Sequence, residues 1–365
     1  MPAANYRILA INPGSTSTKF GLYEGNALVH DWSLSHSEQD LAPFAGKPIM
    51  EQEDYRFAIL LEALREHGVD FDRIDATVGR GGLIRPMTSG TYEVNDVMLD
   101  EVRHRARLQH ASNLGAVLAK RLADRAGVKA YIVDPVSVNE RSPVARLSGS
   151  PLFESGRFCH ALNSKAVAKR YAREEGKPYK NLRLITAHLG GGICIAAHAD
   201  GLMFDATDAG DKSPYSPERA GDLPTLQLVE YCFSGKASEK QVKAMVSGEG
   251  GLYAYLGTRD LREVIERIEA GDKGAKLAFD GMAYQIGKAI GGMASALEGR
   301  LDTIILTGGM AYSDRLVDAV SRYVEWIASV TVYPGEEELT ALSEGVVRVL
   351  NGEEDPKFLQ PEGLQ

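Results

Sequence analysis

What most limits the folds open to this chain is a pattern that occurs twice. Residues 7–12, 19–24 and 28–34 have the apolar patterning of β-strands, and they are joined by a turn-rich segment at 13–18 and by Gly25-Asn26. Residues 184–187, 193–198 and 202–205 repeat the plan, joined by 188–192 and by Asp200-Gly201. The spacing from Gly14 to Gly25 is that from Gly190 to Gly201, and the same offset lays Asn12 over His188. Turns demand glycine in any case, so the matched glycines are weak alone; matched within the same strand order, they indicate an internal duplication.

Helical spacing at 55–67, 96–107 and 113–126 alternates with short strands at 76–79 and 131–133, the latter ending at Asp134. The second half shows helices at 163–175, 225–233, 260–269, 275–297 and 313–329, strands at 303–306 and 330–332, and a last helix at 338–350. Strands alternating with helices indicate an α/β sheet covered on its faces. A chain of 365 residues exceeds one ordinary core. The expected division is 1–150 and 151–337, with the C-terminal helix in 338–365 completing the first domain. The acidic tail beyond Gly352 reads as a frayed end.

No run of about 18 apolar residues occurs, so no membrane partner is expected. A net charge of −9 opposes a general nucleic-acid surface, which rests on basic patches. Three widely spaced cysteines (159, 194 and 232) fit free thiols in a reducing compartment, and residues 1–6 lack a secretory leader, so a cytoplasmic location is expected.

Three glycine-bearing turns carry the chemistry. Asn12-Pro13-Gly14-Ser15-Thr16-Ser17-Thr18-Lys19 combines a tight turn, four hydroxyls and a lysine, which suits phosphate: backbone N–H groups and hydroxyls donate, and the ammonium supplies a charge. It is not a Walker loop, which needs glycine directly before lysine and a helix after it. A polar hairpin with a solvated lysine is the alternative from these residues alone. His188-Leu189-Gly190-Gly191-Gly192 spends three successive glycines, consistent with close approach of a ligand to the backbone or with a hairpin of unusual dihedrals. Thr307-Gly308-Gly309 sits between a strand and a helix, where a sheet's carboxyl edge receives an anionic or planar ligand.

These motifs resemble, in order, the opening phosphate loop, second phosphate loop and adenosine loop of the acetokinase family, a branch of the actin, sugar-kinase and acetate-kinase superfamily. Arg219-Ala220-Gly221-Asp222 is similar to that family's Arg-Ser-Gly-Asp motif. Within the family, His188-Leu189-Gly190-Gly191-Gly192, Gly79-Arg80-Gly81-Gly82, Asp208-Ala209-Gly210-Asp211 and Pro334-Gly335-Glu336-Glu337-Glu338 resemble the butyrate-kinase group more than the acetate-kinase group. The resemblance implies two duplicated actin-like ATPase (ribonuclease H-like) domains with ATP in the cleft between them. It implies ATP/ADP and Mg2+ as cofactors, and a small-molecule carboxylate and its acyl phosphate as substrate and product. Closure of the domains and a homodimer or higher homo-oligomer are expected with it.

Residue by residue, the resemblance sets Arg80 beside the carboxylate, with Arg85 close enough in sequence to compete, and Arg219 beside the transferring phosphoryl group. A planar guanidinium fork suits both tasks. His160 resembles the family histidine that hydrogen-bonds the phosphoryl group; histidines 160 and 188 also read as structural histidines. Asp134, ending a strand, and Glu337 are the implied magnesium-side carboxylates, although Glu336-Glu337-Glu338 also looks like an exposed helix start. Asp260 and Arg262 resemble a ribose-side element and equally fit a helix cap.

Overall fold

A computed structural model describes residues 5–156, 158–208 and 212–362. The chain divides into two compact units, Met1–Asn139 with Glu337–Gln365, and Glu140–Glu336. The first change of unit comes before residue 150. Glu140 forms a buried ion pair with Lys165, and the Arg141 guanidinium donates to the carbonyls of Ala206, Gly156 and Thr207, all within the second unit.

In the first unit, strands β1 (Arg7–Pro13), β2 (Ser17–Glu24) and β3 (Ala27–Ser35) form an antiparallel meander. β4 (Ala76–Arg80), β5 (Thr91–Glu93) and β6 (Lys129–Val133) extend the sheet, with β1, β4 and β6 parallel. The strand order is Lys357–Phe358, β5, β6, β4, β1, β2, β3. Ile132 packs in the core with Leu114 and Leu118 of helix Leu114–Ala126, whereas the neighbouring Val133 meets Gly345 of helix Glu338–Leu350. Adjacent strand residues face opposite ways, so helices cover both faces.

The second unit repeats the meander as β7 (Leu184–Leu189), β8 (Ile193–Ala199) and β9 (Leu202–Ala206) and adds the parallel strands β10 (Thr303–Gly308) and β11 (Val330–Pro334), in the order β11-β10-β7-β8-β9. Ile304 and Leu306 pack against the long helix Lys273–Ala296, and Ile305 packs on the other face with Val167 and Ala168 of helix Ala161–Glu174. Each meander carries one register irregularity, at Leu22/Tyr23 and at Ala197/His198, just before the left-handed Gly25 and Gly201. The duplication read from the glycines therefore extends to a bulge that no sequence signal marked. The fold class is the expected one: α/β, in two sheets with helices on their faces.

Some expectations are corrected. The tail does not simply fray, because Lys357–Phe358 pairs with β5, and Glu354 accepts from the Thr91 N–H and from Arg348 Nε. Its acidic run looks solvated in sequence because these partners are remote. Residues 313–329 form a shorter helix, Asp314–Val324, since the chain must turn to enter β11. Helices Glu239–Val246 and Gly251–Leu256 have no counterpart in the sequence expectation; neither reaches three turns. No helix among the described residues is long and apolar enough to cross a membrane.

Two glycines let helix Leu114–Ala126 lie directly on β4. A Cβ on Gly115 would lie 2.0 Å from the Arg80 carbonyl oxygen, and one on Gly79 would lie 2.0 Å from the Gly115 carbonyl oxygen. Gly115→Ala is therefore expected to lower unfolding free energy by about 3 kcal/mol or more, the upper range for overpacking, in chemical denaturation. A second expectation concerns His198, buried between Thr186 Oγ1 (2.9 Å) and Tyr179 OH (2.7 Å). Burial, then the Lys165 ammonium, pushes its pKa down to about 3, against the opposing Glu140 carboxylate. The unfolded chain takes up this proton below about pH 6.5 while the folded one does not. Stability is therefore fully held above pH 6.5 and lost as pH falls towards 3, by at most about 1.4 kcal/mol per pH unit for this group. Denaturation midpoints of wild type and His198→Gln between pH 7.5 and 5 check this; equal pH slopes would refute it.

Candidate active site

In an open α/β sheet, ligands gather where parallel strands end. Register in the first unit pairs Ile11 with Gly79 and Arg80 with Val133, so Asn12, Arg80 and Asp134 arrive together at the carboxyl edge of β1, β4 and β6. Arg80 Nη1 donates to Glu338 Oε2 (2.9 Å) and lies 3.5 Å from Asn12 Oδ1; Asn12 Nδ2 also donates to Glu338 Oε2. The buried Nε of Arg80 has no hydrogen-bond partner among the described residues. Arg80 can leave its strand abruptly because the next two residues have no Cβ: one on Gly81 would strike Pro135 and one on Gly82 would strike Asn113. Arg85 turns elsewhere, its guanidinium 3.8 Å from Glu101 and bonded to the Gln360 carbonyl.

Asp134 has φ +39°, a conformation uncommon for a residue with a side chain, held by Asp134 N–H to Gly90 O (3.1 Å) and Gly90 N–H to Asp134 Oδ1 (2.7 Å). Glu337, exposed, occupies the N-cap position of helix Glu338–Leu350, and it is the next residue, Glu338, whose buried carboxylate meets Asn12 and Arg80. Glu338 is absent from the candidates that the sequence supplies, yet a signal is present. Positions 338, 341, 342 and 345 follow helical spacing and are all buried, so Glu338 lies on the inward face.

The turn at 14–18 is closed by Gly14 N–H to Ser17 O (2.7 Å). Ser15, Thr16 and Lys19 are exposed, and Lys19 stands directly opposite Asn12 across β1 and β2.

In the second unit, Thr307 pairs with His188 and with Tyr333, which brings Gly190, Gly308 and Glu336 to the carboxyl edge of β7, β10 and β11. His188 Nδ1 lies 2.9 Å from Asn163 Oδ1 and Nε2 lies 3.1 Å from Glu336 Oε1. The His160 ring stacks on it, centroids 3.9 Å apart and 13° from parallel. Asn163 and Glu336 have no local signal. Gly192 is needed by Arg219, whose Nη1 would lie 2.3 Å from a Cβ there; Ser216 Oγ ties this segment to the second loop by donating to Gly191 O. Gly308, at φ +90°, would place a Cβ 2.4 Å from the Leu189 carbonyl. Of the segment 208–211, residues 209–211 lie outside the described ones, as does residue 157 beside His160.

A cavity of about 1080 Å3 opens in this unit between Gly190-Gly191, Gly309-Met310 and the start of helix Leu261–Glu269. Asp260 and Arg262 line it, and Asp260 is also that helix's N-cap. The Arg262 guanidinium, then its backbone N–H, pulls the Asp260 pKa down to about 2, so this carboxylate is ionised throughout the neutral range. Asp260 is thus the helix cap that the sequence allowed, and it borders a cavity as well.

Two sheets of shared plan, each with its polar motif at the carboxyl edge, give a duplicated α/β fold of the actin-like kind. The chain matches the Acetokinase family over residues 157–347. It is 46% identical to a "Probable butyrate kinase" of Clostridium botulinum (strain Eklund 17B / Type B) over 355 residues, 97% of this chain and 99% of that protein. It is 47% identical to "Probable butyrate kinase 2" of Caldanaerobacter subterraneus subsp. tengcongensis over 353 residues, again 97% and 99%. The crystal structure of Porphyromonas gingivalis acetate kinase shares the fold, with a TM-score of 0.74 at 19% identity, covering 93% of this chain and 99% of that one. The chain belongs to the acetokinase family.

Neighbouring glutamates make a sharp test. Glu338→Gln, which loosens the contact orienting Arg80 and Asn12, is expected to lower turnover about a hundredfold, the scale of a small misplacement of reacting groups. Glu337→Gln, exposed at the helix start, is expected to change turnover by less than about threefold. Steady-state assays of both variants decide, and the reverse ranking would shift the role to Glu337.

Proposed function

We propose that the protein transfers the γ-phosphoryl group of ATP to a short-chain carboxylate, butanoate foremost, giving an acyl phosphate and ADP, and runs the reaction in reverse to make ATP. The observation that carries the reading is that polar residues stand at the carboxyl edge in both units, Asn12, Arg80 and Asp134 in one and His188 and Glu336 in the other, within a chain 46–47% identical to probable butyrate kinases along nearly its whole length.

A carboxylic acid with an ordinary pKa of about 4.3 is already ionised at neutral pH and needs no general base; positioning and charge neutralisation are the tasks left to the protein. Arg80, oriented by Glu338, offers a fork to the carboxylate. Arg219 and His160 serve the transferring phosphoryl group. The hydroxyls and N–H groups of Ser15 and Ser17, with Gly14, Lys19 and Asn12, and the run Gly190, Gly191 and Gly192 beginning at His188, hold phosphates. Gly309, Asp260 and Arg262 line the cavity that takes the nucleoside, and Gly308, packed on the Leu189 carbonyl, sets the turn that leads into it.

Among the described residues no group of three or more His, Cys, Asp or Glu could hold a metal. The buried carboxylate of Asp134 at the strand edge fits Mg2+, which keeps several waters and needs only one or two protein carboxylates beside it. Asp134 is one candidate, with Glu337 or the better-placed Glu338 as the other. Held there, the ion would supply positive charge that offsets the charge of the phosphates.

Each buried methylene contributes about 0.8 kcal/mol, so the preference for butanoate over propanoate is expected to be only about fourfold. Hydroxamate trapping of acyl phosphate across acetate, propionate, butyrate and isobutyrate ranks the acids. Absence of product from every one of them ends the proposal. Arg219→Ala is expected to reduce kcat about a thousandfold or more, as loss of an arginine serving a phosphoryl group does.

A further inference from the structure

Arg56, in helix Glu53–Glu66, is the largest of the fully buried side chains among the described residues, at 1% exposure. A buried guanidinium ordinarily pairs with a carboxylate, yet Arg56 forms no ion pair among the described residues. Neutral oxygens meet its charge instead. Nη1 donates to Gly14 O (2.8 Å), Thr18 Oγ1 (3.2 Å) and, more weakly, Ser17 O (3.4 Å); Nη2 donates to Ser15 O (3.0 Å), and Nε to Gln52 Oε1 (2.9 Å). The His36 N–H takes the remaining carbonyl of the run, Thr16 O, at 2.8 Å. Four successive carbonyls, 14 to 17, are thus drawn to the protein side.

The consequence follows from peptide geometry. In a planar trans peptide the C=O of one residue and the N–H of the next point in opposite directions. Drawing the carbonyls of Gly14 and Ser15 inward turns the N–H groups of Ser15 and Thr16 outward. Both residues are exposed, and neither N–H donates to a protein acceptor among the described residues. We propose that Arg56 is the positioning residue of this loop: its guanidinium gathers the loop's carbonyls from behind so that backbone and hydroxyl donors of Ser15 and Thr16 face the phosphates of the nucleotide. The inference rests on the proposed function of the loop.

His36 completes the arrangement, its Nε2 2.9 Å from Thr18 Oγ1 and its Nδ1 3.3 Å from Tyr55 OH. Burial, then the Arg56 charge, pushes the His36 pKa down to about 4, so at neutral pH it adds no second cation behind the loop. A lysine in place of Arg56 keeps the charge but loses the fork that reaches several acceptors at once.

The test compares ATP with adenosine, since only ATP uses the loop. For full-length Arg56→Lys, calorimetric titration is expected to show ATP affinity about tenfold or more below wild type, with adenosine affinity unchanged within about twofold. A merely structural role would lower the unfolding temperature and leave the ratio of the two affinities unchanged, which overturns the proposal. If Arg56→Lys does not fold, Thr18→Val, which removes the hydroxyl shared by Arg56 and His36, decides: a loss of about threefold in the same ratio is expected, and an unaltered ratio overturns it. A wild type that binds ATP better than adenosine but phosphorylates no acid refutes the proposed reaction alone. One that does not distinguish the two ligands refutes the role of Arg56.

Discussion

Parallel β-strands that stop at a common level deliver the next residue of each to one edge, and most of the polar chemistry of this protein follows from that delivery. β1, β4 and β6 carry Asn12, Arg80 and Asp134 to one edge; β7 and β10 carry His188, Gly190 and Gly308 to another. The strands are apolar along their length because both faces are covered by helices, so polar groups appear only where the strands run out. Those groups belong to few residues, and their positions are set by register, which side-chain packing fixes to a single choice.

Glycine serves this edge by removing obstruction more often than by bending the chain. Gly79 and Gly115 let a helix approach β4 until only backbone separates them, and Gly81 and Gly82 let the chain turn away directly after Arg80. Gly192 yields the space in which the Arg219 guanidinium lies. Gly308 does both, with a left-handed φ and the Leu189 carbonyl where its Cβ would be. The entropy that each glycine loses on folding is offset by contact that no other residue permits.

Charge is handled differently in the two parts of the first unit's edge. Arg80 is partly buried and meets a carboxylate, Glu338, that also holds Asn12, so one ion pair orients two residues. Arg56 is buried more deeply and meets carbonyls, which spread its charge over the turn it supports. Both arrangements join residues far apart in the chain, and both use the arginine fork.

Turn chemistry and strand patterning are local, so they are legible in the chain: both meanders, three glycine turns, the duplication and the α/β class all rest on neighbours within a few positions. So do the carboxyl-edge candidates Arg80 and His188, each at the end of an apolar run. Glu338, Arg56, Asn163 and Glu336 owe their places to partners remote in sequence, and only the assembled sheet brings these together. The tail shows the same limit, since Glu354 and Lys357 look solvated until β5 lies beside them. Sequence determined what kind of loop stands at each strand end, because backbone dihedrals and hydroxyl donors are properties of adjacent residues. Tertiary structure alone decided which charge faces which, because a side chain's partner is set by register and helix packing across hundreds of residues.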